Sequence, residues 1–299
     1  MIGRREFLAS PLAASQAPSA PTQFQMACMT LPYSAFPLAR ALSGIKSAGY
    51  KYVAWGVNHR DESGAMRPVL AVDAPQREAA ALAGRCRDLG LTPVMMFSTV
   101  HLEAPDALDA HLRRIAQAAA ARIPFLLTFG KTAPGEEEAF IRNLKAMAPH
   151  AQSAGVMVVV KQHGGNSGTG QACARILKAV GEPAVRMCYD AGNVLDYEKQ
   201  DPIPDILGCW RDIRAFAIKD HRNTPRSEDC GPGFGEIDHY KLLRPVMRTG
   251  LTIPLACENI FEPLVPRPAV PEGVDALARR AREYVESVLR GLQNLGDKT

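Results

Sequence analysis

VMVVVKQHGG, residues 156–165, decides the fold. Five apolar residues in a row read as a buried strand, and the run ends in Lys161 and His163, two positions apart and therefore on one face of that strand. The preceding stretch, EEEAFIRNLKAMAPHAQSAG (136–155), opens with three acids, which suit a helix N-terminus, and closes on a glycine, which suits a C-terminal cap. The unit is thus a helix followed by a strand whose far end carries polar chemistry.

The same unit repeats on both sides of it. FQMACMTL (24–31), YKYVAWGV (50–57), LTPVMMFS (91–98), IPFLLTFG (123–130), AVRMCYD (184–190), IRAFAIKD (213–220) and TIPLACEN (252–259) read as strands. Amphipathic helical stretches separate them, and GVDALARRAREYVESVLRGL (273–292) follows the last. Strict alternation of eight strands with eight helices, the strands apolar on both faces, predicts parallel strands covered by helices. Roughly 275 residues for eight such units is the size of a (β/α)8 TIM barrel in a single domain, expected here over residues 21–299. An open doubly wound sheet would usually have fewer strands, and no GxGxxG follows the first strand to support dinucleotide binding.

Composition agrees. The chain has 299 residues, 46% of them hydrophobic, enough for one large core. Its formal charge of +4 is spread along the chain without a dense basic run, so nucleic acid is not the expected partner. No apolar run reaches the ~20 residues that a membrane helix requires. Seven cysteines, at 28, 86, 173, 188, 209, 230 and 257, form no CxxC pair and lie mostly in apolar runs, so buried free thiols are expected. GRREFLAS (3–10), followed by small residues, resembles a twin-arginine export signal, although Pro11 interrupts its apolar part. Residues 1–20 are set aside from the fold on either reading, exported or cytoplasmic.

In such a barrel the chemistry sits at the C-terminal strand ends. There the sequence places Asn58 and His59; Ser98, His101 and Glu103; Lys161, His163 and Asn166; Tyr189, Asp190 and Asn193; Lys219, Asp220 and His221; and Glu258 with Asn259. Alternation pairs Lys161 with His163, Ala217 with Lys219, and Cys188 with Asp190 on common faces. If those faces point inward, two lysines and two carboxylates converge at the mouth. Any single one of these residues could be solvated or cap a turn; six strand ends carrying them together point to a site. The glycines at 164, 165, 168 and 170 serve either an ordinary loop or close backbone approach to a ligand. Residues 223–234 read as a lid over the mouth or as a surface loop.

The ordered motifs Lys-x-His-Gly-Gly (161–165), Tyr-Asp-x-Gly-Asn (189–193), Ile-Lys-Asp (218–220), Gly-x-Gly-Glu-Ile-Asp (233–238) and Cys-Glu-Asn (257–259) resemble the sugar phosphate isomerase/epimerase group of the xylose isomerase-like TIM barrels. That resemblance implies a divalent metal held by Glu, Asp, His and Glu on strands five to eight. Asp190 and Glu258 match two of these positions, but Lys161 and Ala217 stand at the other two. Since an ammonium has no lone pair and alanine has no donor, a family-type Mn, Mg or Zn site is not expected. A displaced ion would draw on Asp190, Glu258 and His163, or on His221.

The expected activity is proton abstraction alpha to a carbonyl of a sugar, as in isomerisation or epimerisation. Glu258 or Asp190 is the base, and Lys161 with Lys219 stabilises the enediolate. Small-molecule carbohydrate is the expected partner, contacted by His163, His101, Asn193, Asp220 and His221, with Trp55 or Phe97 stacking on the ring. Three alternatives stand beside this: a lyase or hydratase acting on a 3-keto sugar, a Schiff-base lysine at Lys161, and a carbohydrate-binding barrel without catalysis. The oligomeric state, a homo-oligomer included, is left open.

Overall fold

The computed structural model describes residues 20–98 and 100–296. The twin-arginine-like segment and its cleavage positions lie outside the described residues. Eight strands, β1 (Gln23–Met29), β2 (Tyr52–Trp55), β3 (Thr92–Phe97), β4 (Phe125–Thr128), β5 (Met157–Lys161), β6 (Val185–Tyr189), β7 (Ile213–Ile218) and β8 (Thr252–Cys257), pair in sequence order and close on themselves. Every barrel pairing is parallel, β8 to β1 included, so the chain is a single (β/α)8 barrel. Closure leaves the barrel itself without an open edge.

Alternation divides the core into two shells. Ala27, Met29, Ala54, Met95, Phe97, Phe125, Leu127, Val159, Cys188, Ala215, Ala217 and Ala256 fill the barrel interior. Val158, Val160, Met187, Tyr189, Ile218 and Cys257 face the helices instead. Helix α1 spans Leu38–Ser47, α2 Gln76–Asp88, α3 Ala107–Ala121, α4 Glu137–Ser153 and α5 Gly170–Val180. Helix α5 shows how these are set: Thr169 accepts from the Ala172 N–H at 3.0 Å at its start and Gly181 ends it with φ 75°, while Cys173, Ile176, Leu177 and Val180 form the buried stripe between. All seven cysteines are free and buried, as the apolar runs imply.

The connection after β6 differs from the alternation expected. Instead of one helix it contains two, α6 (Ala191–Glu198) and α7 (Pro202–Cys209), before α8 (His239–Leu243) and the long α9 (Pro271–Gly296) complete the ring. Residues 223–234, the lid or loop of the sequence reading, lie largely in an antiparallel hairpin, Asp220–Arg222 paired with Glu228–Cys230. A second hairpin pairs Asn58–Arg60 with Met66–Pro68. Among the described residues, no helix is long and apolar enough to cross a membrane.

Candidate functional site

The alternation that fills the interior with Val159, Cys188, Ala217 and Ala256 delivers Lys161, Asp190, Lys219 and Glu258 one step further along the same inward faces. The four side chains meet. Lys161 Nζ donates to Glu258 Oε1 at 2.6 Å and lies 3.3 Å from Asp190 Oδ2. Lys219 Nζ is 3.8 Å from the same Asp190 oxygen and donates to Asn193 Oδ1 at 2.5 Å and to Asp229 Oδ2 at 2.7 Å. Lys161 is 3% exposed and Asp190 is fully buried, whereas the Glu258 side chain keeps 11% of its surface open.

Burial decides which group titrates. It raises the Asp190 carboxyl to about 7 despite the opposing charges of Lys219 and Lys161. Burial pushes Glu258 up as well, yet Lys161 and Lys219 prevail and hold it at about 2. For Lys161, desolvation opposes the charge, but Glu258 and Asp190 outweigh it and keep the ammonium above its ordinary range. A Schiff-base role requires the reverse shift, so that reading loses its support. Asp229, which burial would raise, is held at about 2 by its bonds to His221 and Lys219.

Aromatic groups form the wall beside this cluster. Lys161 Nζ lies 5.4 Å from the Phe97 ring centroid and 5.9 Å from that of Phe129. His163 packs on Phe129 at 4.5 Å and on Tyr197 at 5.4 Å, with His101 at 6.0 Å. The Gly130 carbonyl can only accept, so His163 Nδ1 donates to it at 3.1 Å and Nε2 is left as an acceptor. Burial, followed by the charge of Lys161, lowers the imidazole to about 4, so His163 is neutral at neutral pH. Phe129, Tyr197 and Asp229 join the site without having been expected from the sequence.

Other expected residues go elsewhere. Trp55 is not at the mouth: Ala54 faces the interior, so Trp55 points outward and sits 1% exposed between strands and helices. Asp220 is also turned away, being adjacent to inward-facing Lys219. Its carboxylate accepts the N–H groups of His221, Gly233 and Ile237 at 2.9, 3.0 and 3.1 Å and anchors the loop beyond the hairpin. Asp220→Ala leaves buried N–H groups unpaired and should cost about 2–4 kcal/mol in urea unfolding. A change within 0.5 kcal/mol would contradict that anchoring role.

Asn193 holds the cluster together instead of facing a ligand. It gives its N–H to Asp190 Oδ1 at 2.9 Å and its Nδ2 to the Gln162 carbonyl at 2.6 Å, while its Oδ1 receives Lys219. Asp190 therefore both caps α6 and faces the lysines. Gly192 is required beside it, because a Cβ there would lie 2.7 Å from Lys219 Cε. His221, 1% exposed, is taken up by Asp229 and Ser227 on the hairpin. The glycine turn at 164–165 makes its close approach within the chain: a Cβ on Gly165 would meet the Lys131 carbonyl at 2.6 Å.

A closed barrel with inward carboxylates at the ends of β6 and β8 agrees with the sequence profile of the xylose isomerase-like TIM barrels, which matches residues 42–280. The chain belongs to that family. Similar solved structures of the same fold include an L-ribulose 3-epimerase (16% identity over 91% of this chain and 96% of the other, TM-score 0.69). A xylose isomerase-like TIM barrel protein from Mycobacterium smegmatis, solved in complex with magnesium, is 16% identical over 91% and 97% with TM-score 0.67. A probable 3-DHS dehydratase from Bacillus anthracis is 9% identical over 88% and 98% with TM-score 0.63. No curated protein sequence matches significantly.

The four-ligand metal set that the family resemblance implies does not fit this xylose isomerase-like barrel. Lys161 places an ammonium 2.6 Å from Glu258 and 3.3 Å from Asp190, and Ala217 adds only a methyl group to the interior. An ion at the two carboxylates would have to displace Lys161 and lie against its charge.

Proposed function

We propose that the protein abstracts a proton alpha to a carbonyl of a sugar or sugar derivative, as isomerases and epimerases do, with the Lys161 ammonium in the electrostatic role of a metal ion. The observation carrying this reading is the seat of Lys161 Nζ between Glu258 and Asp190 at the barrel mouth. Glu258 is the base, since it is the member of the pair whose side chain keeps open surface, 11% against none for Asp190. When Lys161 turns its charge to the substrate oxygen, Glu258 loses the partner that holds its basicity down, and so becomes able to take the proton. The wall of Phe97, Phe129 and His163 supports stacking and hydrogen bonding to a sugar.

Charge counting sets the pH dependence. With Asp190 protonated, Lys161 and Lys219 balance Glu258 and Asp229; with Asp190 ionised, the cluster carries one extra negative charge, which disfavours an enediolate. Deuterium wash-in from heavy water, followed by NMR on ketoses and 3-keto glycosides, should therefore fall as pH rises through about 7. Asp190→Asn, which keeps an acceptor for the Asn193 N–H, should flatten that fall; a rate rising through the same range would contradict the assignment. Glu258→Gln should reduce wash-in about 10²–10⁴-fold. Loss of a substituent beta to the carbonyl would assign the same first step to a lyase. Absence of exchange on any of these sugars, with Lys161→Met changing only sugar affinity, would instead make the barrel a carbohydrate-binding module.

A further inference from the structure

The hairpin beside the mouth contains a second chemical arrangement, which shares Asp229 and Lys219 with the charge cluster but takes no direct part in the proton transfer. His221 and Asp229 are directly opposed in the hairpin register, and Nδ1 of the ring lies 3.0 Å from Asp229 Oδ1. An ionised carboxylate only accepts, so Nδ1 bears a proton, and in the neutral ring Nε2 presents its lone pair. That lone pair faces the Ser227 hydroxyl at 3.1 Å. Lys219 holds the other Asp229 oxygen at 2.7 Å, which fixes the carboxylate, and the imidazole is 1% exposed, which fixes the ring. Ser227 itself is exposed, and Lys199 Nζ lies 3.1 Å from its Oγ.

We propose that Asp229, His221 and Ser227 form a nucleophilic triad and that the protein hydrolyses carboxylic esters at this rim. Ser227 Oγ bonds to the ester carbonyl carbon while its proton passes to His221 Nε2. The oxyanion so formed lies near the Lys199 ammonium. Collapse breaks the bond to the alcohol, which leaves with the proton from His221. Water, activated by the same imidazole, then cleaves the acyl-serine, releasing the carboxylic acid and restoring the hydroxyl. Asp196 Oδ1, 3.7 Å from His221 Nε2, gives the group a cation-like donor set as well. Lysines already neutralise both acids, however: Lys219 on Asp229 at 2.7 Å and Lys199 near Asp196 at 3.6 Å.

The full chain treated with a fluorophosphonate probe should be labelled at Ser227, located by peptide mass spectrometry, and should hydrolyse p-nitrophenyl acetate. Ser227→Ala, at an exposed position where the fold is not at risk, should abolish the labelling and lower turnover at least about 100-fold. Deuterium wash-in on sugars should persist in that variant, which separates the two activities. An unlabelled Ser227 in protein with native circular dichroism would overturn the triad. So would ester hydrolysis that survives Ser227→Ala, or stoichiometric binding of added Zn²⁺ that Asp196→Asn removes.

Discussion

Lys161→Met is expected to cut deuterium wash-in by about 10²–10³-fold and to destabilise the barrel by about 3–5 kcal/mol at neutral pH. The methionine fills the volume but leaves Glu258 and Asp190 together in a buried site, with Lys219 3.8 Å from Asp190 as the nearest remaining cation. Two carboxylates without Lys161 shift upward, because burial and their mutual repulsion are no longer offset by its charge. The sign follows from linkage. A carboxyl whose folded pKa exceeds its unfolded value holds its proton more tightly in the folded state, so stability falls as pH rises above about 4. The penalty should thus be small near pH 4 and large near pH 8. Urea midpoints at those two values read it directly, and equal penalties at both would show that Lys161 is not the compensating charge.

Lys161→Glu combined with Ala217→His should confer metal binding on a protein whose own ligand set does not fit an ion. Lys161 and Ala217 are the departures from the four-ligand pattern, and both occupy inward-facing positions: Lys161 follows Val159 on β5, and Ala217 lies among the interior residues of β7. The double substitution would supply three carboxylates and an imidazole to one point, a set suited to manganese or zinc. About one Mn²⁺ per chain is expected by calorimetry for the double variant and none at this site for the parent. The single Lys161→Glu change should be the less stable protein without metal, since it adds a third carboxylate where a cation stood. A parent protein that binds Mn²⁺ as tightly as the double variant would show that the ammonium does not take the place of the ion.

The barrel and the inner faces of its later strands were legible in the sequence because both follow from backbone geometry. Apolar runs give the strands, and parity from Val159, Cys188, Ala217 and Ala256 leads to Lys161, Asp190, Lys219 and Glu258. Trp55 departs from its expected place at the mouth, although the same parity applies to it. β2 is only four residues long, and its register against β3 shifts between Val53 and Ala54, so the sequence alone gives little hold on which way Trp55 faces. Asp229 carries no local signal, since only the hairpin brings it back to Lys219 and His221. Tyr197 needed α6, a two-turn helix hidden in a stretch that reads as a turn. With that helix recognised, Tyr197 lies one turn beyond Asn193, on the side that meets the mouth.

The proposed chemistry has a tethered ammonium perform the task of an ion. It is tested most directly by deuterium wash-in with chelator-treated protein, metal content being measured on the same sample. Exchange at the carbon next to the sugar carbonyl in metal-free wild-type protein, lost in Lys161→Met and not restored by added Mn²⁺, is the expected result. Exchange that vanishes on chelation and returns with Mn²⁺ would show that a bound ion, and not Lys161, supplies the charge.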